Sequence, residues 1–457
     1  MATKVLDPTL LCCADHAVAI NAALATTQGT VKLKGGVFNT TSEILVNHDR
    51  VRLVGEGINQ TIINYTPPAA GSCIKISNGA AINFQSAVSG FTITSQDTAY
   101  AKVALDIWDV SELQVSDISI AGANGYWRGA GSTGIRTQGR EFSTFKNLTI
   151  FAEKPLQFSN NPNHAIDLDH FHFEDTYLAG YGGSAYPLIT ADSGINITNL
   201  TFDGAQPWVG GAGGFYWNDT TSSIASYALT FKNVRTEQTT SGSSWAFYMG
   251  RNQSLYSLRL ENVYVDPNQR GLYLRNCYGT TLDNFTFTGS GVALDVNGTN
   301  WGLDARGCFF LGGSTVNLTS QNVVMAGPKY PTAAPLPSAF RLHNAALATQ
   351  TNFTSAASSQ PFLTIEPNAV AVLGMSTMKG VVLLTNSAGQ SAMYSVPGSG
   401  GAPVEMSDTT DTYSATSGMS PSSNVFWSAS SGRYLLENKT GSQMKYSMML
   451  FGAYEGF

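Results

Sequence analysis

Charge is what this chain has least of. Asp, Glu, Lys and Arg make up only 12% of its 457 residues, about half the usual share. With 31 acids against 25 Lys and Arg, the net charge is −6. That leaves no basic face for a phosphate backbone and argues against nucleic acid as a partner. No apolar run approaches the ~20 residues of a membrane span, and Met1–Leu11 lacks the apolar centre of a signal peptide, so no membrane insertion is expected. The five cysteines (Cys12, Cys13, Cys73, Cys277 and Cys308) are odd in number and follow no metal-ligand spacing. They read as small buried hydrophobes. His164, His170 and His172 stand beside Asp167 and Asp169, but His172 sits in a strand of alternating apolar residues and no ligand spacing is met. No metal and no cofactor are expected.

What the chain does have is a phrase repeated eight times between Ser86 and Phe287. It reads apolar, any, apolar, any, then Asn, Asp or Gly, then usually apolar, any, apolar. The fifth positions are Gly90, Asp117, Asn147, Asp175, Asn199, Asn233, Asn262 and Asn284, in steps of 27, 30, 28, 24, 34, 29 and 22. A strand-made repeat of that size is a solenoid, in which each coil packs mainly on its neighbours. Alternation on both sides of the fifth position describes two half-buried strands. The residue between them must turn sharply, which Asn, Asp and Gly tolerate because they enter the left-handed region. Stacked asparagines can also hydrogen-bond from coil to coil. A further strand precedes each corner, as in Leu105–Trp108, Gly134–Gln138, Leu188–Ala191, Gly214–Asn218, Ala246–Gly250, Gly271–Arg275 and Val292–Val296. Three strands per turn predict an all-β chain built as a right-handed parallel β-helix.

Asp15–Gly57 resembles the opening of pectate-lyase-like β-helices, bacteriophage tailspikes above all. There Asp15 is placed to cap a helix whose Ala17, Ile20 and Leu24 share one apolar face. Such a helix would plug the open first coil, whose strands Thr30–Leu33 and Val51–Val54 start the winding. The expected organisation is an N-terminal cap and first coil over 1–57 and the β-helix over 58–320. A proline-rich linker over 321–338 and a C-terminal antiparallel β-sandwich over 339–457 complete it. The sandwich is read from stretches such as Ala369–Leu373, Gly380–Leu384, Asn424–Ser428, Tyr434–Leu436 and Tyr446–Phe451. It is similar to the C-terminal jelly-roll modules of phage fibres, which implies a homotrimer. With Met1 almost directly before the first coil, an attachment head is expected to be short, absent or removed.

Chemistry belongs on the outer face, since the inside of a solenoid is packed. In Gly271–Arg275 the leucines must point in, so Tyr273 and Arg275 point out. The same phase gives an outward column of Asp106 and Trp108, Arg136 and Gln138, Asp167 and Asp169, Ile189 and Ala191, Tyr216 and Asn218, Tyr248 and Gly250, and Tyr273 and Arg275. The expected sugar-binding residues are Tyr216, Tyr248, Tyr273, Arg275 and Arg136, with Trp127, Trp208 and Trp245 from the adjoining connections. Two acid sets are candidates for catalysis. Asp167 and Asp169, two apart on a strand, are separated by about 6.5–7 Å, a spacing for acid and base across a glycosidic bond. Asp203 and Glu237, from consecutive coils, are the reserve.

The resemblance implies a tailspike-like depolymerase acting at the virion tail. It would cleave capsular or other bacterial surface polysaccharide by endo-glycosidic hydrolysis, with another phage tail protein as a further expected partner. A polysaccharide lyase acting on uronates through a Tyr or His base, and a non-catalytic receptor-binding fibre, are the alternatives.

Overall fold

The computed structural model describes residues 2–326 and 363–454, apart from short stretches of which the longest are 160–166, 218–225 and 239–243. Three parallel ladders of strands wind through its first part and form one continuous parallel β-solenoid. The first ladder runs through Ile44–Val46, Gly71–Ile76, Lys102–Trp108, Thr133–Gln138, Lys154–Phe158, Ile189–Ala191 and Phe215–Trp217. It continues through 245–250, 270–275, Val292–Asn297 and Thr315–Leu318. The second starts at Ala2–Leu6, which pairs with Gly29–Leu33 ahead of the expected first strand, and ends at Val323–Ala326, inside the span expected to be linker. The third runs from Gly36–Thr40 to Phe309–Phe310. The rest of the expected linker and the start of the expected sandwich, 327–362, lie outside the described residues. Among the described residues no helix is long and apolar enough to cross a membrane.

The first coil is closed as its sequence requires. Asp15 caps the helix His16–Ala25, accepting from the Ala17 amide at 3.1 Å, and Ala17, Ile20 and Leu24 are buried. The same carboxylate accepts from the amides and hydroxyls of Thr41 and Ser42. Burial alone would raise its pKa, but these donors hold it below the ordinary value. One residue therefore ties the plug to the first coil.

Inside, alternation stacks like on like. Phe145, Phe173, Phe202 and Phe231 stand in register on successive coils. Their rings stack at 4.4, 4.6 and 5.4 Å, each pair within 14° of parallel.

The corner between the second and third ladders is the repeated turn, with one correction. Gly90, Asp117, Asn147, Asp175, Gly204, Asn233, Asn262 and Asn284 occupy it, all at positive φ. Asn199 belongs to another corner, in line with His170 before it and Ala228 after it. Asp175 to Gly204 and Gly204 to Asn233 are each 29 residues, which replaces the uneven steps of 24 and 34. The coil-to-coil amide ladder is present: Asn147 donates to Asp117 at 2.7 Å, Asn262 to Asn233 at 3.2 Å and Asn284 to Asn262 at 3.1 Å. Where Gly204 offers no side chain, Asn233 reaches the neighbouring Asp203 at 2.7 Å instead.

Two further sheets follow in the C-terminal part. One orders Leu363–Ile365, Met444–Tyr454, Met378–Asn386, Ser391–Pro397 and Val404–Asp408, all antiparallel. The other orders Val370–Met375, Arg433–Asn438, Ser423–Ser428 and Tyr413–Ser414, whose last pairing is parallel. Val382, Leu384 and Tyr394 from the first share one core with Val425, Tyr434 and Leu436 from the second. That is a two-layer sandwich.

Candidate functional site

On the outer side of the first ladder, one residue per coil stands in line: Lys75, Asp106, Arg136, Gln157, Thr190, Tyr216, Tyr248, Tyr273 and Asp295. The tyrosines hold the places expected of them. Tyr216 and Tyr248 stack at 4.4 Å and 8°, Tyr248 and Tyr273 at 4.5 Å and 9°. This geometry changes what the row can do. Stacked that closely, the middle ring has both faces covered, so the row presents ring edges and hydroxyls rather than flat faces. Trp245, nearly buried, is tilted against Tyr248 and Tyr273 at 6.5 and 5.5 Å and supports the row from the side. The Arg270 guanidinium lies 5.5 Å from the Trp245 ring centre. Arg275, two residues beyond Tyr273, is exposed, with Gly250 and Asn297 beside it in register.

Asp295 ends the tyrosine row, paired in register with Tyr273 and partly buried. Burial pushes its carboxyl above the ordinary value of 3.8, and the Arg270 cation only partly opposes this. It is an acid that holds its proton unusually well beside a row of hydroxyls. The Tyr216 and Tyr273 phenols are also pushed up, chiefly by burial, with Tyr248 adding to it.

At the other end of the face the chemistry is ionic. Arg136 donates to both Asp106 oxygens at 2.8 and 2.7 Å, and Ser72 donates to the same carboxylate at 3.0 Å. Arg136 is thus engaged, not a free cation. Lys75 and Arg136 both lie over the Trp108 ring, at 5.6 and 5.4 Å. Burial raises the Glu43 carboxyl, against the pull of Lys75 and alongside the charge of Asp106.

The two acid sets are not brought to this face. The row assigned to Asp167 and Asp169 is filled by Gln157, from Lys154–Phe158, whose Leu156 and Phe158 point inward. Asp169 pairs with Glu141 and Thr198 on a different side of the coil. Its oxygens are held by Asn199 at 3.0 Å and by His170 at 2.9 Å. Asp167 begins the same strand, and its side chain lies outside the described residues. Asp203 and Glu237 fall on opposite sides of the corner at Gly204. Asp203 serves the amide ladder, whereas Glu237 is in register with Trp208 and pairs with Arg235 at 2.8 Å.

Three further expectations change. Ile189 and Ala191 point inward, leaving Thr190 on the face. Trp127 is fully buried, stacked on Tyr65 with its indole donating to the Lys102 carbonyl at 3.1 Å, so it packs the wall and touches no ligand. Trp208 lies in the third ladder, and its side chain is outside the described residues. Asp295 is legible from alternation, since Leu294 and Val296 in the same strand point inward. The expected column simply stops one coil short of it.

No family model matches the chain, and no curated protein matches it either. Among solved structures it is similar to the Dettilon tailspike protein, at 12% identity and a TM-score of 0.47 over 97% of this chain and 93% of that one. It is also similar to the ORF18 protein of Geobacillus virus E2, at 13% identity and 0.43, over 96% and 85%. A mannuronic acid specific polysaccharide family 6 lyase from human gut microbiota aligns at 10% identity and 0.43, over 72% and 80%. At these identities and scores the likenesses assign neither family nor activity.

Proposed function

We propose that the outer face of the first ladder binds a polysaccharide and that the chain cleaves it by endo-glycosidic hydrolysis, with Asp295 as proton donor. The observation that carries this reading is the row of three stacked tyrosines ending on a partly buried carboxyl. The phenols recur once per coil, about 4.8 Å apart, and offer an extended, hydroxyl-rich ligand a hydrogen-bonding partner at each step. Asp295 then gives its proton to the departing glycosidic oxygen, the bond from the anomeric carbon to that oxygen breaks, and water supplies the hydroxyl that replaces it, its remaining proton passing through solvent to restore the Asp295 carboxyl. The phenols lend elimination little support: raised values leave Tyr216 and Tyr273 less ionised than a free tyrosine, so less phenolate is available to take a proton from a sugar.

Because both faces of Tyr248 are covered, its contact with sugar runs through the hydroxyl. Tyr248→Phe is expected to weaken polysaccharide binding by about 1 kcal/mol, and Tyr248→Ala by more, since the stack is lost as well. Titration calorimetry reads both, and two variants that bind as the parent would leave the row a structural ladder.

The same proposal places the chain on a virion tail as a homotrimer acting on bacterial surface polysaccharide and docked to another tail protein. It is supported by the resemblance of Asp15–Gly57 and of the C-terminal strands to tailspike and fibre segments. Light scattering of the intact chain should give a trimer, and of a version ending at Pro337 a smaller species. A monomeric intact chain would end this part of the proposal.

A further inference from the structure

A second row of aromatic side chains climbs the solenoid away from the face just described. It lies on the short segment that leads from the first ladder into the second, where Glu141, Asp169, Thr198, Tyr227, Tyr256 and Tyr278 stand in register on successive coils. The residue after each turns left-handed, and in the first of these coils that residue is Phe142, at φ 53°. Tyr227 and Tyr256 stack at 5.2 Å, Tyr256 and Tyr278 at 5.1 Å, and Phe142 stacks on His170 at 4.7 Å.

These rings are out in the water: Phe142 is 53% exposed, Tyr227 45% and Tyr256 38%. The left-handed backbone recurs at this corner on every coil and is set by the winding, but it is unfavourable for a residue as bulky as Phe142. His170, which Phe142 covers, is itself fixed through Asp169 and Asn199. The row is held, then, but not covered.

We infer that this row is a second glycan-binding subsite, taking another stretch of the polysaccharide proposed to bind the tyrosine face. It rests on that reading. Two observations favour a sugar over a protein surface as its occupant. The lining interleaves rings with imidazole, amide and hydroxyl groups from His170, Asn199 and Thr198, a mixture that offers the hydroxyls of a sugar chain several hydrogen-bonding partners. The row also shares its coils with the first: Tyr248 and Tyr256 lie on one strand, and Tyr273 and Tyr278 on another. The five residues from Tyr273 to Tyr278 span at most about 17 Å and the eight from Tyr248 to Tyr256 about 27 Å, so one chain of linked sugars can reach from row to row. Two weak contacts joined in this way bind far more tightly than either alone.

The test uses the full chain and a purified capsular polysaccharide that the native protein retains, chosen from a panel. The double variant Tyr227→Ala/Tyr256→Ala should bind it about tenfold more weakly. Phe142→Gly separates ligand contact from scaffold: relieving the left-handed strain should raise the unfolding temperature while the affinity drops severalfold. Native-like affinity in these variants overturns the inference and leaves the tyrosine face untouched. Loss of the oligomer with unchanged affinity per subunit also overturns it, making the row a subunit contact. A native chain that retains no polysaccharide in the panel sinks the tyrosine-face reading, and this one with it.

Discussion

Replacing Asp295 by asparagine should abolish polysaccharide cleavage while leaving binding and folding in place. The amide keeps the shape of the carboxyl but has no proton to give. Removing a general acid lowers rates by roughly 10²–10⁴-fold, so turnover should drop below ready detection while calorimetric affinity stays at the parent value. Asp295 lies at the end of the tyrosine row, not within the stack, which is why the two readouts separate. The pH dependence follows from the direction of the shift. Burial raises this carboxyl above 3.8, so it is protonated, and cleavage proceeds, below the raised value, and activity falls as pH rises through it. The stability sign agrees. The contribution of a group with a raised pKa is fully present below its unfolded value and lost as pH rises through its folded value. Asp295→Asn lacks that loss and should be no less stable than the parent at neutral pH. An asparagine variant that cleaves at the parent rate would move the catalytic site elsewhere.

The largest effect on stability is expected inside the solenoid. Phe202 is fully buried between Phe173 at 4.6 Å and Phe231 at 5.4 Å, with the edge of Phe158 at 6.5 Å. Phe202→Ala opens a void that the neighbouring coils cannot close without breaking their own register. The loss should be about 3–5 kcal/mol, read as a lowered denaturation midpoint. Because each coil leans on the next, the loss should propagate along the ladder rather than remain local. A midpoint within error of the parent would mean that the phenylalanine stack carries no such weight.

The solenoid is legible in the sequence because its rule is local: alternation buries Phe145, Phe173 and Phe231 without reference to anything distant. The corners are legible as far as side chains mark them. Asn147 and Asn262 announce themselves, whereas Gly204 at the same corner carries no amide. Asn199 follows the alternating Ile195 and Ile197 and so imitates the phrase from the wrong corner. Lys154–Phe158 escapes the pattern because Pro155 argues against a strand, yet its Leu156 and Phe158 fill the core as any other coil does. The assignment of Asp167 and Asp169 to the outer face follows from that omission. Side-chain phase along one strand is written in the sequence, but which strand of a coil faces which side depends on the count of residues between corners. Near 153–188 that count is irregular. The covered faces of the tyrosines are hidden for a different reason, since ring orientation is set by packing between coils and not by sequence period.

Mass spectrometry of the products from a polysaccharide that the chain binds tests the central claim most directly. Endo-hydrolysis predicts oligosaccharides carrying one added water per cut bond and no unsaturated end. An unsaturated end would show elimination, and intact polysaccharide after prolonged incubation would show a binding protein without catalysis. Either result contradicts a hydrolytic role for Asp295.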